Sequence, residues 1–407
     1  MSSVDSFGLS LSCDAAAAEP WRLGAERLLA GTGDPVAAAD QAIAADPDFA
    51  LAWALRARGL LFRAEMQAAR DAVERAIELA PGTSRREQQH VALAKDLVFN
   101  RPETLDRSRE HLEEWPLDAL VLAPAAGVFG LIGFSGRVQR EAEQLALLEP
   151  LAQVYGDHWW FRTILAFALL ETGSADRATE LASEAWAARP DSGHVAHTLV
   201  HAQFEAGRHE QARQWLADWL PTYPAADMLY CHLWWHLGLF HVLRRDFPAV
   251  WSVFDERCGE GLSNSPPINI FTDRAALIWR AQLQGADVDE TRWRDLYDYA
   301  ARNFPKPGVF VDVHYILTLV ALEHWQELDE FEARCRVALE GGRLRAGGVV
   351  LELLAGFRAF GQARWADAAA SLEAALSTAV CIGGSRAQRR IVDETLAVAR
   401  ARAGART

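Results

Sequence analysis

The chain has 407 residues, half of them apolar, which is enough to bury a large core, and its length alone would allow two or three ordinary domains. Fifty-five acidic residues against 41 Lys and Arg give a formal net charge of -14, and no basic run offsets it, which speaks against nucleic acid and anionic membrane as partners. Residues 1–18 lack the charged start and apolar centre of a secretory signal, and no stretch approaches the ~20 apolar residues that cross a bilayer. Five cysteines (Cys13, Cys231, Cys258, Cys335, Cys381) are scattered, odd in number and never in a CxxC pair, so a cytoplasmic protein with reduced thiols is expected.

Along the chain, prolines fall at Pro47, Pro81, Pro116, Pro150, Pro190 and Pro224, at intervals of 34, 35, 34, 40 and 34 residues. Most end stretches rich in Ala, Leu, Glu and Arg, where a residue without an N–H stops a helix. A tetratricopeptide (TPR) unit is about 34 residues long, so the period predicts an all-α, TPR-like solenoid of antiparallel helix pairs. The second unit fits best: Trp53 at the fourth position, Ala69 and Ala76 where helices approach, Val73 between them and Pro81 at the end, with Arg56, Ala57 and Leu60 departing from the pattern. Alignment on Pro190 puts Ala178 and Ala185 at small-residue positions, and alignment on Pro224 does the same for Ala212, with Leu199 at the leucine position.

Further on, helix pairs are predicted at 228–243 with 246–257, 269–284 with 290–303, 310–322 with 325–339 and 346–360 with 363–377, then a last helix at 386–402. CGEGLSNSPPIN and NFPKPG are the loops, and no segment has strand period. The expected organisation is an N-terminal segment 1–18, degenerate repeats over 19–257, and repeats over 258–407 continuing the same solenoid. Each pair buries its apolar face only against its neighbours, so the core should run the whole length; the irregular stretch 258–268 is the best candidate for any boundary.

Twelve histidines in 407 residues would put about one in the window 194–236, yet His194, His197, His201, His209, His232 and His236 all fall there. Counting back from Pro224, His194, His197 and His201 take positions 2, 5 and 9 of a first helix, one helix face, which in TPR proteins lines the concave groove. A one-residue shift puts His232 and His236 at positions 5 and 9 of the next such helix. Neighbouring axes lie about 8–10 Å apart, so His197, His201, His232 and His236 could share a centre and hold a divalent metal ion as neutral imidazoles. Asp273, Asp312 and His314 are candidates to complete or orient the set. The plainer account is that these histidines donate to carbonyls and pack on Trp159, Trp160, Trp234 and Trp235; metal-free acid–base chemistry is a third.

The fifteen tryptophans are weighed the same way: most are core, while Trp160, at position 2, and Trp235 are expected to wall the groove. No P-loop, GxGxxG, GxSxG or HExxH motif is present.

Several segments resemble the family of tetratricopeptide repeat protein 38. HVAHTLVHAQFEAGRHEQARQWL carries a spaced histidine pair, CHLWWHLGLFHVLRRDFPAVWSVFDERC carries H-x-x-W-H, and FTDRAALIWRAQLQGADVDETRW and VFVDVHYILTLVAL supply an Asp helix and an Asp-x-His segment. DSFGLSLS and the surroundings of DPDFALAW also fit, so the resemblance spans most of the chain. It implies shared positions at His197, His201, His232, Trp235, His236, Asp273, Arg280, Asp312 and His314. It implies a fold but no particular reaction.

Two functional readings follow. In the first, a His/Asp/Trp pocket binds a small organic molecule, with or without transforming it. His201 and His236 would be bases or ligands, and His194, His197, Trp160, Trp235, Asp273, Arg280, Asp312 and His314 would contact the molecule. In the second, an open TPR groove binds a protein partner without catalysis. Exposed terminal faces leave room for a homo-oligomer, although no heptad seam specifies one.

Overall fold

The computed structural model describes residues 3–305 and 308–405; Lys306 and Pro307 of the predicted NFPKPG loop lie outside that range, as do residues 1–2 and 406–407 of the two terminal segments. The chain is an all-α, TPR-like solenoid. Its first three pairs are α1 (Ala15–Ala30) with α2 (Pro35–Ala45), α3 (Ala50–Phe62) with α4 (Met66–Leu79), and α5 (Arg85–Val98) with α6 (Thr104–Glu114). Three shorter helices follow: α7 (Ala119–Ala126), α8 (Arg140–Leu148) and α9 (Ala152–Tyr155). Regular pairing resumes with α10 (Trp159–Glu171) and α11 (Ala175–Ala188), α12 (Gly193–Glu205) and α13 (His209–Trp219), α14 (Tyr230–Leu243) and α15 (Phe247–Glu256). It ends with α16 (Pro267–Leu283) and α17 (Glu290–Asn303), α18 (Val309–Ala321) and α19 (Trp325–Glu340), α20 (Val349–Gly361) and α21 (Trp365–Ala375), and a lone α22 (Arg386–Gly404). No helix among the described residues is long and apolar enough to cross a membrane.

The repeat is marked in the backbone as well as by proline. The turn from first to second helix passes through a left-handed residue at Ala64, Asn100, Gly173, Gly207, Arg245, Gly285, Glu323 and Ala363. Only three of these are glycine, the residue that takes positive φ without steric cost, so the turn is conserved in geometry where it is not in sequence.

First helices are buried on nearly all sides: α14 hides Cys231, His232, Leu233, Trp235, His236, Leu237 and Gly238 alike, so its residues show no one-sided apolar stripe. Gly238 permits the close approach of α16, since a Cβ there would stand 3.0 Å from Leu277. Second helices bury one face only, as α13 does with Ala212 and Leu216. One core cluster runs from Cys231 to Leu396, passing under the loop at 258–268.

Two features close the superhelix on itself. Near its beginning α1 docks on α12: Ser192 Oγ donates to Ala30 O at 2.8 Å, Tyr223 OH donates to Gly31 O, and Gly33 N donates to Asp227 Oδ1 at 2.7 Å. At the other end α22, begun by a Ser385/Gln388 capping box, lies across the C-terminal ends of α10, α12 and α16. Arg386 N donates to Glu171 at 2.9 Å, Arg389 pairs with Glu141, Arg390 with Glu205 at 3.2 Å, and Glu394 with Arg280 at 2.7 Å. Cations at helix C-termini are favoured by the exposed carbonyls there. The chain's own helix thus occupies part of the concave side.

Among the described residues, the one element outside the helical expectation is a short hairpin, Ser3–Val4 (β1) against Ser10–Leu11 (β2). Asp5 Oδ1 accepts the N–H groups of Phe7 and Leu9 at 2.9 and 2.8 Å and so shapes its turn. Two-residue strands are too short to leave a period-2 signal.

Candidate metal centre

The site is built from α12, α14 and α16. Ser192 caps α12, accepting from Val195 N at 3.3 Å, and sets the start from which His197 and His201 project four residues apart. The same spacing on α14 aligns His232 and His236, and Asn269 and Asp273 repeat it on α16. The four imidazoles meet: one ring nitrogen from each of His197, His201, His232 and His236 lies within 4.8 Å of all the others.

His197 Nε2 stands 3.0 Å from His201 Nε2 and 3.0 Å from His232 Nε2. His232 Nδ1 donates to Asp273 Oδ2 at 2.8 Å, and in the neutral tautomer this sets, Nε2 carries a bare lone pair. A single ring nitrogen offers one proton or one lone pair, so His197 cannot satisfy both neighbours. Protonated, it serves His232 and fails His201; unprotonated, its lone pair opposes that of His232. His236 Nε2 is buried and has no partner at all. Converging lone pairs with one nitrogen orphaned are what a cation would resolve: tetrahedral zinc with bonds of about 2.0–2.1 Å needs ligand atoms about 3.3 Å apart, near the 3.0 Å of the two closest pairs and within the 4.8 Å that bounds the set.

The surroundings keep His197, His201 and His236 neutral. Burial, then mutual repulsion, holds His197 and His236 well below the usual imidazole range and lowers His201 to about 3. Phe167 stacks on His197 with ring centres 5.4 Å apart and meets His201 edge-on at 5.0 Å, while Trp235 stacks on His232 at 5.1 Å. Asp273 is almost fully buried; Asn269 Nδ2 reaches its Oδ2 at 3.4 Å and its Oδ1 has no partner.

Other residues singled out by sequence divide into near and far. His314 lies close enough to Asp273 to feel its charge, but its Nδ1 is turned to Phe310 O at 2.8 Å, and burial lowers it to about 4. Arg280 sits 5.7 Å over the Trp235 ring; Nη2 donates to Ala387 O and Gln388 O at 2.8 and 3.1 Å, and Nη1 is buried without a partner. Three further residues of the expected set lie away from the quartet. Trp160 faces the core, packed on Tyr155 and Phe7 at 5.8 and 6.2 Å, because the hairpin covers that side of α10. His194 is turned to α1, its Nδ1 2.9 Å from Leu29 O, since α1 covers the first turn of α12. Asp312, two residues from His314 and so on the other face of α18, lies toward α19, where Arg334 and Cys335 feel its charge; burial raises it to about 6.

Sequence reasoning missed Phe167 and Asn269, and it missed a second constellation. Asp118 accepts from Arg86 at 3.0 Å, from His90 Nδ1 at 3.0 Å and from His111 Nε2 at 3.1 Å, all buried. Arg86 and His90 stand four apart on α5, but no spacing relates them to His111 or Asp118, so only the packing of α5 on α6 completes the set.

The tetratricopeptide repeat family matches residues 169–230, from the end of α10 to the start of α14. Among solved structures, the chain is similar to a human IFIT1 dimer with m7Gppp-AAAA, at 12% identity over 92% of this chain and 84% of that one, with a TM-score of 0.48. It is also similar to the APC/C hetero-tetramer Cut9–Hcn1, at 13% identity over 94% and 76%, with a TM-score of 0.44.

Proposed function

We propose that this TPR-like chain carries a buried transition-metal centre on His197, His201, His232 and His236, beside which it binds a small organic molecule. The observation behind this reading is the convergence of four ring nitrogens that cannot satisfy one another. Zinc, or another imidazole-favouring divalent ion, would supply Lewis acidity and make a bound water more acidic. Asp273 fixes the tautomer and ring plane of His232, in the manner of carboxylate–histidine–metal triads. Phe167 and Trp235 exclude water and keep the imidazoles unprotonated, and so free to ligate.

His201 and His236 are assigned as the ligands whose loss would empty the site. In this reading the chain is a member of the tetratricopeptide repeat protein 38 family, working in the cytoplasm, where its five free cysteines would stay reduced. The rival reading, an open groove for a protein partner, is less favoured because α22 already lies across the ends of α10, α12 and α16.

Elemental analysis of untagged protein prepared without chelator tests the proposal. About one equivalent of metal is expected, and none in the double variant His201→Ala, His236→Ala. Metal-free wild-type protein that also fails to take up zinc or cobalt in titration sinks it.

A further inference from the structure

On the side facing α22, the histidine quartet is bordered by hydrogen-bond donors that the chain itself leaves unmet. Arg280 stands two helical turns beyond Asp273 on the same face of α16. Its guanidinium lies 5.7 Å from the centre of the Trp235 ring, which in turn meets the His236 ring at 4.8 Å. Nε of Arg280 donates to Glu394 at 2.7 Å and Nη2 donates to Ala387 O and Gln388 O, but Nη1 is buried with no acceptor. Gln388 repeats the pattern from α22. Its Oε1 accepts Ser385 N at 2.9 Å in the capping box, while its Nε2 is buried with no acceptor. Both residues are only 3% exposed, so each unmet donor carries the desolvation cost of a buried polar group.

The Gln388 amide is tied to the same region through α18. Gly384 leaves no room for a Cβ between the Phe310 ring and Gln388 Oε1. The Phe310 ring stands 4.8 Å from that of His314, and His314 and His236 both feel the charge of Arg280. Arg280, Gln388, His236 and His314 therefore border one part of the interior, between α14, α16, α18 and the start of α22.

Charge decides what these donors would receive. With a divalent ion on it, the quartet offers four neutral imidazoles and a single outer carboxylate, Asp273, and no thiolate, so positive charge is left unmatched. Arg280 adds to it, and its partner Glu394 is 40% exposed, where water screens the pair. A carboxylate meets both needs, since its two oxygens accept from a guanidinium and an amide together and its charge offsets the excess. We propose that the molecule bound beside the quartet is a small carboxylate, its oxygens received by Arg280 Nη1 and Gln388 Nε2. In naming a ligand class, this rests on the reading of the quartet as a metal centre.

The test titrates acetate, propionate and benzoate, each against its neutral amide, into the full chain loaded with cobalt(II), followed by visible absorption, and into the metal-free chain, followed by calorimetry. At least one carboxylate should change the cobalt spectrum saturably and bind about tenfold or more tighter than its amide. Gln388→Glu keeps an oxygen for Ser385 N, and with it the capping box, but replaces the donor by an acceptor; carboxylate affinity should fall by about tenfold or more with cobalt stoichiometry unchanged. Arg280→Lys keeps the charge, loses Nη1 and should weaken binding severalfold. Cobalt uptake with no response to any carboxylate, an equal response to the amides, or full carboxylate affinity in Gln388→Glu would each overturn this inference and leave the metal centre standing. Failure to take up cobalt overturns the metal centre instead. The metal-free titration then decides the anion site: heat that Gln388→Glu abolishes upholds it, and no heat from any carboxylate overturns it.

Discussion

Two buried histidine clusters in the same solenoid are composed in opposite ways. Around Asp118, one carboxylate collects Arg86, His90 and His111, and each donor points at an acceptor. Between α12, α14 and α16, four imidazoles share a single carboxylate, and only His232 reaches it. There, His236 Nε2 and Asp273 Oδ1 are left over. A buried polar network that closes on itself holds elements together; one that leaves lone pairs converging and unmet costs stability unless something else fills it. The first joins the hairpin, α5 and α6. The second has the composition of a binding site.

Removing the acceptor should separate the two most sharply. Asp118→Ala strands a guanidinium and two imidazoles in the core, so urea unfolding should show a loss of about 3–5 kcal/mol. In metal-free protein, His236→Ala deletes a ring whose Nε2 has no partner and should cost much less. Equal losses would erase the distinction drawn here.

Next in size is the outer carboxylate. Asp273→Asn still offers an oxygen to His232 but no charge, and metal affinity by chelator competition should fall about 10- to 100-fold. Asp118→Asn should leave it unchanged. A drop of similar size in both would mean that the metal, if bound, is not held by the quartet.

How much of this could be read from the chain depends on how local each signal is. Helix spacing within α12 and α14, together with the proline period, suffices to bring His197, His201, His232 and His236 to one face. The helices predicted beyond residue 228 agree with the observed ends within about three residues. Asp312 lies apart from the quartet because a sequence gives its position on α18 but not which neighbour each face meets: residues 312 and 314 point to opposite sides, so only one could join. Trp160 and His194 lie away from the quartet for a related reason. Their register was right, but the hairpin and α1 fold back over the positions where the groove would have been open. Closure of the solenoid by α22 and the gathering of Asp118 with His90 and His111 depend on contacts between distant elements, for which no spacing rule exists.

The dependence of stability on pH distinguishes the clusters by sign and window. His201 is lowered to about 3 and His314 to about 4, from an unfolded value near 6.5. In that interval the unfolded chain binds protons that the folded chain excludes, so stability falls as pH drops below 6.5, by up to about 1.4 kcal/mol per pH unit for each such histidine. Asp118 behaves otherwise. Its folded carboxyl is held far below the usual range by His90, His111 and Arg86, so its contribution is complete above pH 4 and is lost only in stronger acid. Hydrogen exchange on metal-free protein between pH 7 and 4.5 should therefore show α12 and α14 losing protection while α5 and α6 keep it. Saturation with zinc should delay that loss, because protons and metal compete for the same lone pairs. Uniform loss across all four helices would show the clusters to be energetically one.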